Sequence, residues 1–130
     1  MLLPCEVAVK SLIPAIRSAI ARELIHSYRL KQEEVAKLLG VTQTAISKYT
    51  RNVRGTVFRV EDMEEIKPRL KHIVTSLANG DMSKYELPKM VCEVCGILRR
   101  KRVMCTLCEY TDPTVEPQEC SVCNRDTRFL

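Results

Sequence analysis

Apolar residues recur along the first 80 positions at intervals of three and four, the spacing that lines one face of an α-helix. Ile13, Ile16, Ile20 and Leu24 make the first stripe, with Ser11 before it as N-cap and Pro14 in its first turn. The pattern predicts a core helix from Ser11 to near Tyr28. Val35, Ala36 and Leu39 mark a second helix, closed by Gly40, a residue that tolerates the positive φ of a tight turn. After Val41, Thr42 is the expected N-cap of a short third helix. That helix buries Ala45, Ile46 and Tyr49 and leaves Gln43, Thr44, Ser47 and Lys48 on its polar face. Ile66, Leu70, Ile73 and Leu77 form a last stripe, interrupted by Pro68, which has no amide to donate. A short helix ending near Lys67, then one from Pro68 to Asn79 closed by Gly80, reconciles the two. The expected fold is all-α, with five helices in residues 1–80.

The second and third helices, residues 32–49 (QEEVAKLLGVTQTAISKY), read as a helix-turn-helix. A small Ala36 at the crossing, Gly40 in the turn and Ile46 plugging one helix onto the other are what packing near a right angle demands. Such packing leaves the second helix standing proud, so that its polar face can enter the major groove, where base edges are distinguishable. The spacing of Gln, Ala, Gly, Ile and Tyr through residues 32–49 resembles the lambda-repressor-like (Cro/C1) DNA-binding family over residues 16–55. The resemblance also implies five helices. One departure is Lys31, which stands where that family usually has a Ser or Thr N-cap, at a cost of about 1 kcal/mol. The opening MLLPCEVAVKSLIPAIRSAIARELI is similar to a group of archaeal predicted regulators. Its first eleven residues lie ahead of the usual family start, as an N-terminal arm in which Cys5 reads as a small buried apolar residue.

Charge sharpens the DNA-binding reading. Residues 1–55 hold nine Lys or Arg against four Glu, whereas residues 56–91 and 92–130 each hold six of either sign. The net charge of +5 therefore belongs to the helix-turn-helix part, as a phosphate-facing surface requires. On this reading Gln43, Thr44, Ser47 and Lys48 contact bases or adjacent phosphates, with Thr42 at the helix start, while Gln32, Arg51 and Arg54 fix the register on the backbone. A homodimer on double-stranded DNA is expected, because one recognition helix covers only a few base pairs. No apolar run approaches the ~18 residues that span a bilayer, and the N-terminus is too short for a signal peptide, so a soluble cytoplasmic protein with no membrane partner is expected.

Residues 81–91 have linker composition and separate the helical part from residues 92–130, a cysteine-rich module with three Cys-x-x-Cys pairs: Cys92 and Cys95, Cys105 and Cys108, Cys120 and Cys123. So short a segment cannot bury a self-sufficient core and needs a staple. Two thiolates two residues apart grip one ion, and two such pairs complete a tetrahedron around Zn²⁺. Zinc is the expected cofactor; an iron–sulfur cluster uses the same four thiolates and would make the module a sensor. Which two pairs join is open. Gly96 after Cys95 suits a zinc knuckle, whereas Leu87, Val91, Val94 and Leu98 keep helical spacing straight through the first pair. The run at residues 99–102 is either a second phosphate contact or a solvated face. His26 and His72 are isolated and read as ordinary surface or core residues.

These features point to a sequence-specific transcriptional regulator: a lambda-repressor-like domain with a metal-stapled cysteine module. They do not suggest an enzyme, since no nucleophile is paired with a base and no glycine-rich loop cradles phosphate. Two other classes fit parts of the sequence. One is a general transcription or RNA-binding adaptor that docks through the zinc module, and the other is a thiol–disulfide redox protein using a CxxC dithiol.

Overall fold

In the computed structural model, which describes residues 2–51 and 59–124, the chain opens with two helices where the apolar spacing predicted one. Helix α1 spans Pro4–Lys10 and α2 spans Leu12–His26. Pro14 explains the break: an unbroken helix would need a Pro14 amide bonded to the Lys10 carbonyl, and the ring would crowd that oxygen. The chain turns at Ser11, whose Oγ donates to the Val7 carbonyl at 2.7 Å. Ser11 therefore closes α1 and makes no side-chain cap for α2, contrary to its expected role. The N-terminal arm is thus a helix, begun by Pro4 in the first turn, where a missing amide costs nothing.

Helix α2 is the axis of the fold. Leu12, Ile16, Ile20 and Leu24 are fully buried in it, and the small Ala15, Ala19 and Ala21 let neighbours approach. It packs against α1, against α3 (Gln32–Leu39), α4 (Gln43–Thr50), α5 (Lys67–Asn79) and α6 (Glu86–Arg100). It ends where Arg29 takes a left-handed conformation, φ 57°, and the Leu30 amide bonds back to the Leu24 carbonyl at 3.2 Å. The short helix expected before Lys67 is instead a 3₁₀ turn at Val60–Asp62 followed by a bend into α5, with Pro68 in the first turn of that helix. Gly80, at φ 73°, closes α5 as expected.

The larger difference lies beyond Gly80. Only residues 81–85 form a connection, because α6 begins at Glu86 and carries the helical stripe straight through the first Cys-x-x-Cys pair. Leu87 and Val91 are half-buried and Val94 and Leu98 fully buried, against α2 and α5. Gly96 is a buried mid-helix residue and makes no knuckle. Of the span 81–91 read as a linker, residues 86–91 thus belong to α6, whose buried face shares one core with α2. Helix α7 (Cys105–Thr111) and a 3₁₀ turn at Val122–Asn124 finish the described chain, α7 against α1 and the turn against α6. All regular structure among the described residues is helical, and no helix there is long and apolar enough to cross a membrane.

Candidate nucleic-acid interface and thiol cluster

The start of α4 is built by two local devices. Gly40 adopts φ 66°, ψ 33°, and the Val41 amide bonds to the Ala36 carbonyl at 3.0 Å, closing α3. An added Cβ on Gly40 would touch nothing within 4 Å, so it is the backbone angle and not space that selects glycine. Two residues on, the Ala45 amide donates to Thr42 Oγ1 at 3.1 Å, the N-cap the sequence predicts. Lys31 makes no side-chain cap for α3, in keeping with its unfavourable residue type.

On α4, Ala45, Ile46 and Tyr49 are buried, and Gln43 and Thr44 are exposed. Ser47 and Lys48 share the outer face but are half-buried. Gln32, half-buried, is the first residue of α3, and Arg51 is exposed at the end of α4, its Nε donating to the Ser47 carbonyl at 3.4 Å. Thr42 caps through its side chain, so its role here is to start the helix. Arg54 lies outside the described residues.

A polar network that the apolar spacing did not foretell fixes the other end of α4. Ser18 Oγ, fully buried on α2, donates to the Tyr49 carbonyl at 3.4 Å. Arg22 in turn donates to Ser18 Oγ and to Glu61 Oε1, both at 2.5 Å. The signal available in sequence was a serine inside the α2 core stripe, which must find a partner when buried.

The seven cysteines are all free thiols, and they fall into two groups. Cys105, Cys108, Cys120 and Cys123, all half-buried, line one cavity of about 30 Å3 together with Pro4, Arg99 and Met104. Burial pushes the Cys108 thiol above its ordinary pKa, and the neighbouring Cys123, Cys105 and Cys120 push it the same way. Cys92 and Cys95 do not line this cavity: Cys92 is exposed and Cys95 is buried against the core. Burial raises the Cys95 pKa, opposed by Arg99 and reinforced by Cys92 and Cys5. Cys5 is exposed on α1 with the Arg99 guanidinium 3.7 Å from its sulfur, so it is neither buried nor alone as expected. Among the described residues no three Cys, His, Asp or Glu side chains lie close enough together to hold a metal ion as they stand.

The basic run at residues 99–102 is largely used internally. Arg99 Nε donates to Cys123 Sγ at 3.4 Å, and burial of its charge is outweighed by that bond and the nearby sulfurs, which raise its pKa. Lys101 pairs with Glu65, and Arg102, held at φ 63°, donates to the Pro117 carbonyl and, at 3.5 Å, to that of Cys120. Arg100, Lys101 and Arg102 are all exposed. His26 and His72 are both exposed.

Compared with known proteins, the chain matches no curated protein and no solved structure. Residues 20–64 match the family model described as Helix-turn-helix, a span that runs from within α2 through α3 and α4 to just past the 3₁₀ turn. The chain therefore carries an XRE-type helix-turn-helix domain over residues 20–64.

Proposed function

We propose that this protein is a sequence-specific DNA-binding transcriptional regulator that reads the major groove with α4 and holds a metal through its C-terminal cysteines. The observation that carries the reading is the exposure of Gln43 and Thr44 on a helix whose opposite face is locked into the core by Ala45, Ile46 and Tyr49. Side chains at the N-terminal end of a recognition helix reach base edges, and Gln forms bidentate bonds with adenine. The helix-turn-helix family match and the excess of positive charge in residues 1–55 support the same surface. Two copies on a two-half-site operator would give the length of site that a specific regulator needs.

The test starts from a binding site selected out of random duplex DNA. Gln43→Ala is expected to lose about 1–3 kcal/mol on that site and almost nothing on random DNA. Arg51→Ala should weaken both and lower the salt slope by about one unit. Equal losses on every sequence for Gln43→Ala would remove the base-reading role. Failure to enrich any sequence would turn the assignment toward the adaptor class.

A further inference from the structure

The second and third Cys-x-x-Cys pairs converge although eleven residues separate them. Cys105 and Cys108 stand one turn apart on α7, Cys123 lies in the closing 3₁₀ turn and Cys120 just ahead of it. Their approach is held in part by contacts that do not involve sulfur. Arg102, at the end of α6, reaches across to the carbonyls of Pro117 and Cys120, and the Cys120 amide bonds to the Glu116 carbonyl at 3.0 Å. The first pair is committed elsewhere, on α6, with Cys95 packed into the core.

We propose that Cys105, Cys108, Cys120 and Cys123 are the complete ligand set of one mononuclear zinc site, with Arg99 as its cationic partner and with Cys92, Cys95 and Cys5 taking no part. This rests on the metal-binding half of the reading above and names its ligands. Four sulfur donors in two CxxC turns are the ligand set of a closed tetrahedral zinc site. The cavity of about 30 Å3 between the four cysteines is of the size of one or two waters, room enough for a single ion. On binding, the four thiols would release their protons to solvent and serve as thiolate ligands. Four thiolates around Zn²⁺ leave two negative charges. Arg99 lines the same cavity, donates to Cys123 Sγ at 3.4 Å and remains protonated throughout, so it offsets that charge and orients one ligand.

The experiment is elemental analysis of anaerobically purified full-length protein, with the absorption spectrum of its cobalt-substituted form and alkylation mapped by mass spectrometry. The expected result is about one zinc per chain, a tetrahedral four-thiolate cobalt spectrum, and alkylation of Cys92 and Cys5 while the four ligands are protected. Cys120→Ser should lose the ion to a competing chelator, Cys92→Ser should keep it, and Arg99→Met should keep it with affinity lowered about 10- to 100-fold. The cobalt spectrum and the protection map need no substitution, so they decide the matter even if Cys120→Ser misfolds. Retention of the ion in well-folded Cys120→Ser, or its loss in Cys92→Ser, would overturn this ligand set and leave the metal-binding reading standing. Iron with sulfide in place of zinc would overturn the mononuclear site. Absence of any metal would overturn both the site and the metal-binding reading, without touching DNA recognition.

Discussion

Leu98→Ala tests whether the first Cys-x-x-Cys helix belongs to the core built around α2. Leu98 is 0% exposed, and its neighbours in α6 are nearly as buried: Val94 at 1%, Cys95 at 7% and Ile97 at 9%. Truncating a buried leucine removes its transfer free energy and leaves a cavity, for a loss of about 2–5 kcal/mol. Enclosure between α6 and α2 argues for the middle of that range, about 3 kcal/mol, against a total stability of about 5–15 kcal/mol. For a chain of this size each kcal/mol shifts the melting temperature by about 3–5 °C, so a fall near 10 °C is expected. Val9→Ala is the control, because Val9 is 63% exposed and should change stability by less than about 0.5 kcal/mol. The assay is urea unfolding followed by far-ultraviolet circular dichroism. The same logic applies to a chain ended at Gly80, which loses the buried Val94, Ile97 and Leu98 at about 1.5–3 kcal/mol each. That loss is comparable to the whole stability, so residues 1–80 should not persist as a well-folded domain. A Leu98→Ala variant as stable as Val9→Ala, or a cooperatively folded 1–80 fragment, would refute the packing argument.

Thr42→Ala should cost about 1 kcal/mol by removing the oxygen that accepts the Ala45 amide, and Thr42→Ser should recover most of it; denaturant midpoints of the two variants check this. The hydrogen bond from Lys101 holds the exposed Glu65 carboxyl below its usual pKa of 4.5. Because the folded value is depressed, the contact contributes above the unfolded pKa and is lost as pH falls through the folded one, in the acid range below 4.5. A carboxyl NMR titration should therefore give Glu65 a low midpoint that returns to normal in Lys101→Met; an unchanged midpoint would show that the pair does not persist in solution.

The helix-turn-helix was legible because its determinants are local. Gly40 must take a positive φ, Thr42 must cap, and Ala45, Ile46 and Tyr49 repeat at helical spacing; each constraint acts within four residues. The break at Ser11 was also written locally, in Pro14, but the unbroken stripe from Ile13 to Leu24 concealed which side of Ser11 the hydroxyl would serve. What sequence could not supply was long-range choice. Leu87, Val91, Val94 and Leu98 spelled a helix, yet Gly96 and Cys95 spelled a turn, and the contest was decided by the apolar surface of α2, over sixty residues away. The position of Cys5 beside Arg99 has the same origin, since it brings α1 next to the end of α6, 94 residues away. The pairing of the thiols was open for a comparable reason: spacing within a pair is local, whereas convergence of pairs depends on Arg102 pinning the loop before Cys120.

The network at Ser18 shows how a body of apolar helices can set the angle of α4. Apolar packing of Ile46 and Tyr49 holds α4 to α2 but is non-directional, and permits rotation about the contact. The last carbonyls of α4 have no intrahelical partners and need a donor. Ser18 supplies one to Tyr49 from a buried position with the directionality of a hydrogen bond, and Arg22 and Glu61 hold Ser18 in place from the side facing the 3₁₀ turn. Arg59 stands 3.6 Å from the same Glu61 oxygen, which extends the network to the first described residue after the 52–58 segment. The Thr42 cap fixes the start of α4 and the Ser18 contact fixes its end. The exposed side chains of Gln43 and Thr44 are therefore carried on a helix located at both termini, which is the condition for reading base edges by geometry and not by charge alone.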